Sequence, residues 1–279
     1  MILKKIFSPL TTFTLLIIIM AGCDTTSTDT KSSEGNVKLQ FKTATGTSGT
    51  AAKALASGNS LMSQHDSLIV EGSNGTLTIN DIRFIVEKFK LEPADVENDT
   101  VEIEYEEFEA EPFFIDLPLT DDTLNLGNNQ IKAGFYEEFE FEVKDLDFEF
   151  DEEEEDHQAL ADSIRSEFPE WPEEASMIII GSFTPTGGES QAFMVFAKAE
   201  IEVELEFEPP LEVTEDMEHV VSVNIDPTQW VLQEDGSVIN LTDYNWGERE
   251  ELLEFSAKFK EGLLEVEVDE EDFDDEDED

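Results

Sequence analysis

The stretch AFMVFAKAEIEVELEFEPP, residues 192 to 210, decides the fold class. Its apolar side chains stand at every second position, and glutamates occupy the alternate positions from 202 to 208. Successive side chains of a β-strand point to opposite faces. The pattern therefore predicts one long strand with one apolar face, and Glu202, Glu204, Glu206 and Glu208 all on the other.

Shorter segments of the same kind occur along most of the chain. They include VKLQFKT (37–43), TLTINDIRFIVEKFKLEP (76–93), PFFIDLPL (112–119) and HVVSVNI (219–225). Turn residues recur about every ten residues, and Asn74-Gly75 is a hairpin signal. A continuous apolar run, SMIIIGSF (176–183), is typical of a strand buried on both faces. These segments predict an all-β, antiparallel β-sandwich-like fold.

Two segments interrupt or end this pattern. HQALADSIRSEF (157–168) places Leu160, Ile164 and Phe168 at helical spacing, which predicts one short inserted helix that ends before Pro169. The last pair, LEFSAKF (253–259) and LLEVEV (263–268), alternates on both sides of Gly262 and is predicted as a hairpin. A helix over residues 249–260 also fits the 3.6-residue period.

The net charge excludes one class of partner. The chain has 279 residues, 16 basic and 69 acidic, for a formal net charge of −53, while 39% hydrophobic residues and 21 Phe suffice for a core. Such a field repels phosphate backbones, so nucleic acid is excluded as a partner. Glutamates repeated on neighbouring strands repel one another, and salt screens that repulsion. We therefore expect an acidic surface adapted to high salt.

The first 23 residues, MILKKIFSPLTTFTLLIIIMAGC, have a basic start and an apolar run, which is typical of a secretory signal peptide. The end of this segment, Met20-Ala21-Gly22-Cys23, resembles the lipobox of bacterial lipoproteins. That resemblance implies that Cys23 is acylated and becomes the new N-terminus. Cys23 is the single cysteine, so no disulfide can form. The expected location is the cell envelope, lipid-anchored to the outer membrane or the outer leaflet of the inner membrane.

The predicted organisation follows the changes in composition along the chain. A lipoprotein signal peptide (1–22) is followed by a flexible tether (23–36), a β-sandwich domain (37–150), an acidic loop with a short helix (151–175), a second β-rich part that completes or extends the sandwich (176–268) and a disordered acidic tail (269–279). Whether these parts make one domain or two stays open.

The acidic stretch FYEEFEFEVKDLDFEFDEEEED (135–156) is the candidate metal site. Asp145, Asp147, Asp151 and Asp156 could bind Ca²⁺ weakly, because calcium accepts many oxygen ligands in irregular geometry. No complete calcium-loop motif is present, so a solvated sheet edge is the favoured interpretation. The apolar positions change parity at Lys144-Asp145, which predicts a bulge or turn there that keeps the apolar set inward.

No catalytic residue is predicted. The three histidines, His65, His157 and His219, form no motif, and no cofactor other than Ca²⁺ is implied. Trp171, Trp230 and Trp246 would suit a sugar-stacking face, with Trp171 the most exposed between two prolines, although tryptophan in an all-β domain more often plugs the core. The expected function is a non-catalytic binding or structural module, with the membrane, a polysaccharide or another envelope protein as partner. A calcium-binding lipoprotein is the alternative, and a glycan-active enzyme the third candidate.

One further resemblance covers about residues 75–143. GTLTINDIRFIVEKFKLEP, FFIDLPL and NNQIKAGFYEEFEFEV resemble uncharacterised bacterial surface lipoprotein domains with a prealbumin-like β-sandwich. The resemblance implies that Gly134 allows a tight approach into the next strand and that Tyr136 pins the corner. The function of those domains is unassigned, and carbohydrate or matrix binding is suspected for them.

Overall fold

The computed structural model describes residues 34–43, 67–94, 107–120, 122–146, 155–215 and 217–272, all within one compact unit that spans Ser32–Asp279. The strands are β1 (Glu34–Thr43), β2 (Leu68–Gly72), β3 (Gly75–Pro93), β4 (Phe108–Ala110), β5 (Phe113–Asp116), β6 (Thr123–Lys132), β7 (Gly134–Val143), β8 (Met177–Pro185), β9 (Gln191–Lys198), β10 (Ile201–Val213), β11 (Met217–Ile225), β12 (Leu253–Glu254) and β13 (Leu263–Asp272). The helices are α1 (Glu155–Glu167), α2 (Pro227–Val231), α3 (Trp246–Arg249) and α4 (Ser256–Gly262), with a 3₁₀ turn at Leu241–Tyr244.

The strands form two sheets in a sandwich-like arrangement, which confirms the predicted fold class. The first sheet has the order β13-β11-β1-β6, and the second follows the path β10-β7-β3-β8-β9-β12 with β2, β4 and β5 also paired to β3. Two pairings, β1 with β11 and β9 with β12, are parallel, so the sheets are mixed rather than antiparallel throughout. Because β1 joins β11 and β13 in one sheet, the two halves of the chain build the sandwich together.

The core lies between the two sheets. Phe41 of β1 reaches across to the second sheet, where its ring centroid is 6.0 Å from that of Phe84 and 5.5 Å from that of Phe141. All three rings are fully buried. Aromatic rings of this size dominate the apolar area that leaves water on folding, and edge-on contacts add to it.

The long strand β3 organises the second sheet. β5 pairs with one edge of β3. β8 and β7 pair with the other edge, β8 along residues 75–84 of β3 and β7 along residues 86–93. Register shifts fall between Ile79 and Asp81 and between Val86 and Lys88. At each shift the core-facing parity changes, giving the buried series Leu77, Ile79, Ile82, Phe84, Phe89 and Leu91.

A second apolar cluster covers the outer face of β8. Met177 and Ile179 pack in the core between the sheets, while Ile178 and Ile180 pack outside with α1. The prediction that residues 176–183 are buried on both faces is therefore confirmed. The helix predicted at residues 157–168 is also confirmed, since Ile164 of α1 packs in this outer cluster.

The predicted long strand at residues 192–210 is two strands. Lys198 ends β9 and Ile201 begins β10, and each strand pairs with different neighbours. The Ser176 hydroxyl accepts a hydrogen bond from the Ala199 amide (2.7 Å) and donates one to the Ala199 carbonyl oxygen (2.8 Å), which fixes the break. The predicted alternation of inward and outward side chains continues through the break, because Ala197, Ala199 and Ile201 are all buried in the core.

The predicted hairpin at residues 253–268 is wrong. Residues 256–262 form α4, because a helical turn brings Phe255 and Phe259 onto one side of Trp230, with centroid distances of 5.9 and 4.7 Å. The strand that follows, β13, continues to Asp272 through its pairing with β11, so residues 269–272, which were predicted to be disordered, form part of a strand.

The predicted hairpin around Asn74 is present one residue earlier than expected. Gly72 pairs with Gly75, so Ser73 and Asn74 form the turn. The Asn74 side chain makes the pair of hydrogen bonds that a neighbouring strand would make with Val238: its Nδ2 donates to the Val238 carbonyl oxygen (2.8 Å) and its Oδ1 accepts from the Val238 amide (2.9 Å). The turn is thereby held to the segment that follows α2.

Candidate functional site

The strongest electrostatic feature is the outer surface of β10, β7 and the C-terminal half of β3, here called the acidic face. The register places outward glutamates directly opposite one another on β10 and β7, in the pairs Glu202–Glu142, Glu204–Glu140 and Glu206–Glu138. Across the other edge of β7, the same three residues of β7 stand opposite Lys88, Lys90 and Glu92 of β3. The acidic face is thus three rows of side chains that cross three strands.

Two cations of this face, Lys88 and Lys90, come from β3, and Lys144 lies 4.0 Å from Glu142 at the end of β7. Lys88 Nζ donates to Glu140 Oε1 at 2.7 Å, and Lys90 Nζ lies 3.1 Å from Glu107 Oε1 and also binds Glu92. The hydrogen bond to Glu140 raises the pKa of Lys88, and hydrogen bonds to Glu92 and Glu107 raise that of Lys90. Within the described residues, no lysine or arginine forms an ion pair with Glu202, Glu204 or Glu206. The β10 side of the ladder is uncompensated.

The pKa values of two glutamates of β7 are raised on this face. Partial burial, followed by the charges of Glu92 and Glu204, raises the pKa of Glu138. Partial burial, followed by the charge of Glu87, raises the pKa of Glu142, and a side-chain hydrogen bond with Glu87 contributes as well. Both shifts have the sign expected when carboxylates are crowded at a poorly hydrated surface.

Within the described residues, the predicted calcium ligands are not brought together. Asp145 follows β7, and burial raises its pKa; Asp156 is the second residue of α1. Asp147 and Asp151 lie outside the described residues, as do Cys23 and His65. Among the described residues, no three or more histidine, cysteine or acidic side chains are grouped so that they could hold a metal ion.

The chain beyond β7 differs from the expectation at Lys144-Asp145. Leu146 is buried in the outer cluster with α1, not in the core with Phe141 and Val143. The change of parity therefore marks the exit of the chain from the sheet, and Leu146 is buried on the opposite side.

The three tryptophans do not form a sugar-stacking face. Trp171 is only 5% exposed, and its indole NH donates to the Ala175 carbonyl oxygen at 3.0 Å, so its predicted exposure is wrong. Trp230 is fully buried in the core and donates to the Phe259 carbonyl oxygen. Trp246 is half-buried, with its ring centroid 5.2 Å from that of Phe196, which also contacts Trp171. All three indoles pack against phenylalanine, Trp171 and Trp246 in the outer cluster and Trp230 in the core.

The corner between β6 and β7 contains Gly134 and Tyr136, the two residues for which the family resemblance implies a role. The Tyr136 hydroxyl donates to the Lys132 carbonyl oxygen at 2.8 Å, four residues upstream, and the Tyr136 ring is fully buried. Gly134 is the first residue of β7 and pairs with Val213. The tyrosine thus ties the end of β6 in one sheet to the start of β7 in the other.

The two described histidines lie on different elements, His157 in α1 and His219 in β11, where His219 is fully buried. Sequence reasoning missed Lys88 and Lys90 as residues of the acidic face. Their i, i+2 spacing in β3 was a usable signal, since both must lie on one face of a strand.

Comparison with known proteins identifies no family. No protein-family model and no curated protein matches the chain. Among solved structures, the chain is similar to MbnP from Methylosinus trichosporium, with 12% identity over 68% of this chain and 76% of that chain and a TM-score of 0.34. At this level the similarity carries no argument about function. Among the described residues, no helix is long and apolar enough to cross a membrane.

Proposed function

We propose that the protein is a lipid-anchored, non-catalytic binding or structural module of a bacterial cell envelope, with an acidic surface adapted to high salt. The observation that carries the proposal is the glutamate ladder between β7 and β10. Three like-charge pairs stand directly opposite, with side chains about 5 Å apart at such positions, and within the described residues Glu202, Glu204 and Glu206 form no ion pair.

High salt is the condition under which this ladder costs least. The screening length falls from about 10 Å at 0.1 M to about 3 Å at 1 M, which is shorter than the separation of the opposed carboxylates. Each like-charge pair destabilises a sheet by some tenths of a kcal/mol when unscreened. A ladder of three pairs on an edge strand is therefore a handicap in dilute buffer and a small one in brine.

The test is the melting temperature in rising NaCl. We expect it to rise steeply up to about 1 M NaCl, and we expect the rise to shrink in the triple variant Glu202→Gln, Glu204→Gln, Glu206→Gln. The variant Glu234→Gln, at an exposed loop position, is the control and should follow the wild type. A melting temperature that stays flat or falls with NaCl would sink the proposal.

The anchor is tested separately. Cys23 should incorporate labelled palmitate in a bacterial host and bring the protein into the membrane fraction. The Cys23→Ala protein should lose the label and leave that fraction. Incorporation that survives this substitution would contradict lipidation at Cys23.

Calcium binding is the second candidate, and one contact favours it. Glu87 and Glu142 are close enough on the acidic face for Glu87 to raise the pKa of Glu142, and Glu202 stands opposite Glu142. Carboxylate oxygens at such close range are suitable ligands for Ca²⁺. At equal ionic strength, CaCl₂ should raise the melting temperature more than NaCl if calcium binds, and equally if screening alone acts. The Glu87→Gln variant should abolish any excess effect.

A further inference from the structure

The free edge of β10 borders the acidic face. β10 ends the second sheet, and of the strands that the structure describes only β7 pairs with it. In an antiparallel pair, every second residue of an edge strand directs its backbone N–H and C=O groups away from its neighbour. Along residues 201–206 these groups therefore form a template for one further strand.

The side chains of β10 alternate between an exposed acidic row and a half-buried apolar row. The acidic row consists of Glu202, Glu204 and Glu206, and the apolar row consists of Val203, Leu205 and Phe207. The apolar row packs against the core between the sheets, and its partial exposure is expected at the edge of a sheet. An added strand would match both rows if it carried cations on its outer face and apolar side chains on its inner face.

The other edge of β7 already has such a neighbour. There β3 places Lys88 opposite Glu142 and Lys90 opposite Glu140, while Phe89 between the two lysines is fully buried. Lys88 Nζ donates to Glu140 Oε1 at 2.7 Å. In this fold, a strand with an outward glutamate row is thus complemented by a strand in which lysine alternates with an apolar residue. β10 repeats the glutamate row and has no such complement on its free edge among the described strands.

The remaining parts of this chain do not supply the complement. After Cys23, the longer segments outside the described residues are 24–33, 44–66, 95–106, 147–154 and 273–279. Cationic and apolar residues alternate in none of them, and Lys31 and Lys53 are their only lysines or arginines. The last three segments are rich in acid, so beside β10 they would add like charges to the ladder.

A second copy of the chain does not supply the complement either. The strands that carry lysines at alternate positions are β1 and β3, and both are already paired along two edges. A net charge of −53 on each copy also makes two copies repel each other. The partner that fits the edge is therefore a different protein.

We propose that the free edge of β10 binds an extended segment of a partner protein, in which lysine or arginine alternates with apolar residues, as an added strand. The inference rests on the proposed function, because it names the class of partner that the acidic face of a binding module takes. Backbone hydrogen bonds supply affinity in this mode, and alternate side chains supply specificity. The glutamate row adds to that specificity, since it repels acidic strands.

The experiment compares two peptides of equal composition on the full-length chain. One peptide repeats the order Lys-Phe-Lys-Leu of residues 88–91 twice, and the other places all its lysines before its apolar residues. Both carry the same charge, so only the first can present its lysines on one face of a strand. We expect the alternating peptide to bind about tenfold more tightly at low salt, measured by fluorescence anisotropy.

Hydrogen exchange locates the bound peptide. An added strand bonds to backbone N–H groups of β10, so the alternating peptide should slow amide exchange within residues 201–206, and the block peptide should not. In about 1 M NaCl both peptides should bind more weakly, because screening weakens the attraction between charges. The preference for the alternating order should remain, since backbone hydrogen bonds and apolar contacts are not screened.

A triple variant tests the glutamate row. Glu202→Gln, Glu204→Gln, Glu206→Gln should weaken the alternating peptide about tenfold, because each lost charge pair contributes a fraction of the affinity. All three side chains are exposed, so the substitutions leave the core intact.

The control removes three charges from the other acidic edge strand. On β13, the variant Glu265→Gln, Glu267→Gln, Asp269→Asn changes an exposed row that stands opposite no acid on β11. Its affinity for the alternating peptide should stay within about twofold of the wild type.

The outcomes decide the inference separately from the proposed function. Equal affinity for the two peptides, or an equal loss in the two triple variants, would overturn it, because the chain would then attract cations through its net charge alone. Binding without slower exchange in residues 201–206 would also overturn it. The salt adaptation has its own test in the melting temperature, and a failure there leaves the peptide comparison unchanged.

Discussion

Lys88 Nζ donates a 2.7 Å hydrogen bond to Glu140 Oε1, and the Glu140 side chain is only 7% exposed. Glu140 sits in the middle of the acidic face, flanked by Glu204 on β10 and Lys90 on β3. A carboxylate so enclosed depends on its partner, because water cannot replace the lost bond. Lys88 therefore offsets the free-energy cost of burying the Glu140 carboxylate in the central row of the ladder.

Replacing Lys88 by methionine should destabilise the fold by about 1–3 kcal/mol, since it leaves the buried Glu140 carboxylate without its cation. The measurement is urea unfolding at neutral pH. Lys144→Met is the control, because Lys144 is half exposed and lies 4.0 Å from Glu142, so its loss should change stability by less than about 0.5 kcal/mol. Equal effects of the two substitutions would contradict a special role for Lys88.

Gly262 is the residue that lets α4 pass over Trp230. A Cβ at this position would overlap the Trp230 Nε1 atom and lie 2.7 Å from the Asp226 carbonyl oxygen. Gly262→Ala should destabilise by about 2 kcal/mol or more, through overpacking and loss of the indole hydrogen bond to Phe259. Near-ultraviolet circular dichroism should report the displaced indole.

A matched glycine provides the control for that substitution. Gly247 lies in α3, and a Cβ there would meet no atom within 4 Å. Gly247→Ala should be neutral or stabilise by up to about 1 kcal/mol, because alanine loses less backbone entropy in a helix. If both glycines tolerate alanine equally, the packing of Trp230 against Gly262 is looser than these contacts indicate.

The Tyr136 hydroxyl should contribute measurably to stability through its hydrogen bond at the corner between β6 and β7. Tyr136→Phe removes the hydrogen bond to the Lys132 carbonyl oxygen and should cost about 1–2 kcal/mol while keeping the buried ring. Tyr244→Phe, in the 3₁₀ turn, is the control and should change stability by less than about 0.5 kcal/mol. Thermal melts of the two variants side by side decide the matter.

The sequence predicted on which face of the sheet a side chain lies better than it predicted which strands pair. Alternation along residues 192–208 assigned Glu202, Glu204, Glu206 and Glu208 to the outer face, because the face on which a side chain lies depends only on parity within one segment. It could not show that the segment breaks at Ala199, since the break is imposed by Ser176, 23 residues upstream. Which strands become neighbours, and hence which glutamates stand opposite, is decided by contacts across the whole chain.

The tryptophans illustrate the same limit. Prolines on both sides of Trp171 correctly kept it out of a strand, but its burial depends on Phe114 and Phe196, which lie far away in sequence. The helix α4 was set aside in favour of a hairpin for a related reason: residues 253–259 satisfy both the strand and the helix period, and the contacts of Phe255 and Phe259 with Trp230 decide between them. The pattern of residues within one segment cannot predict contacts with residues that are distant in the sequence.

Mild acidification should stabilise the protein at low salt, against the usual trend. The pKa values of Glu138 and Glu142 are raised above their ordinary value of 4.5, so the folded state binds protons more tightly than the unfolded state. Stability then falls as pH rises through the folded-state pKa and is regained as pH is lowered toward 4.5. Asp81, whose pKa burial also raises, contributes with the same sign. The melting temperature should therefore rise between pH 7 and about pH 5.

The double variant Glu138→Gln, Glu142→Gln isolates the source of this effect. Glutamine keeps the shape of the protonated side chain and cannot titrate, so the variant should melt higher than the wild type at pH 7 and show a flatter pH profile. In about 1 M NaCl the wild-type profile should flatten in part, because screening removes the mutual repulsion of the carboxylates but not the cost of their partial burial. A wild-type melting temperature that falls steadily from pH 7 to pH 5 would show that the acidic face is not crowded enough to favour protons.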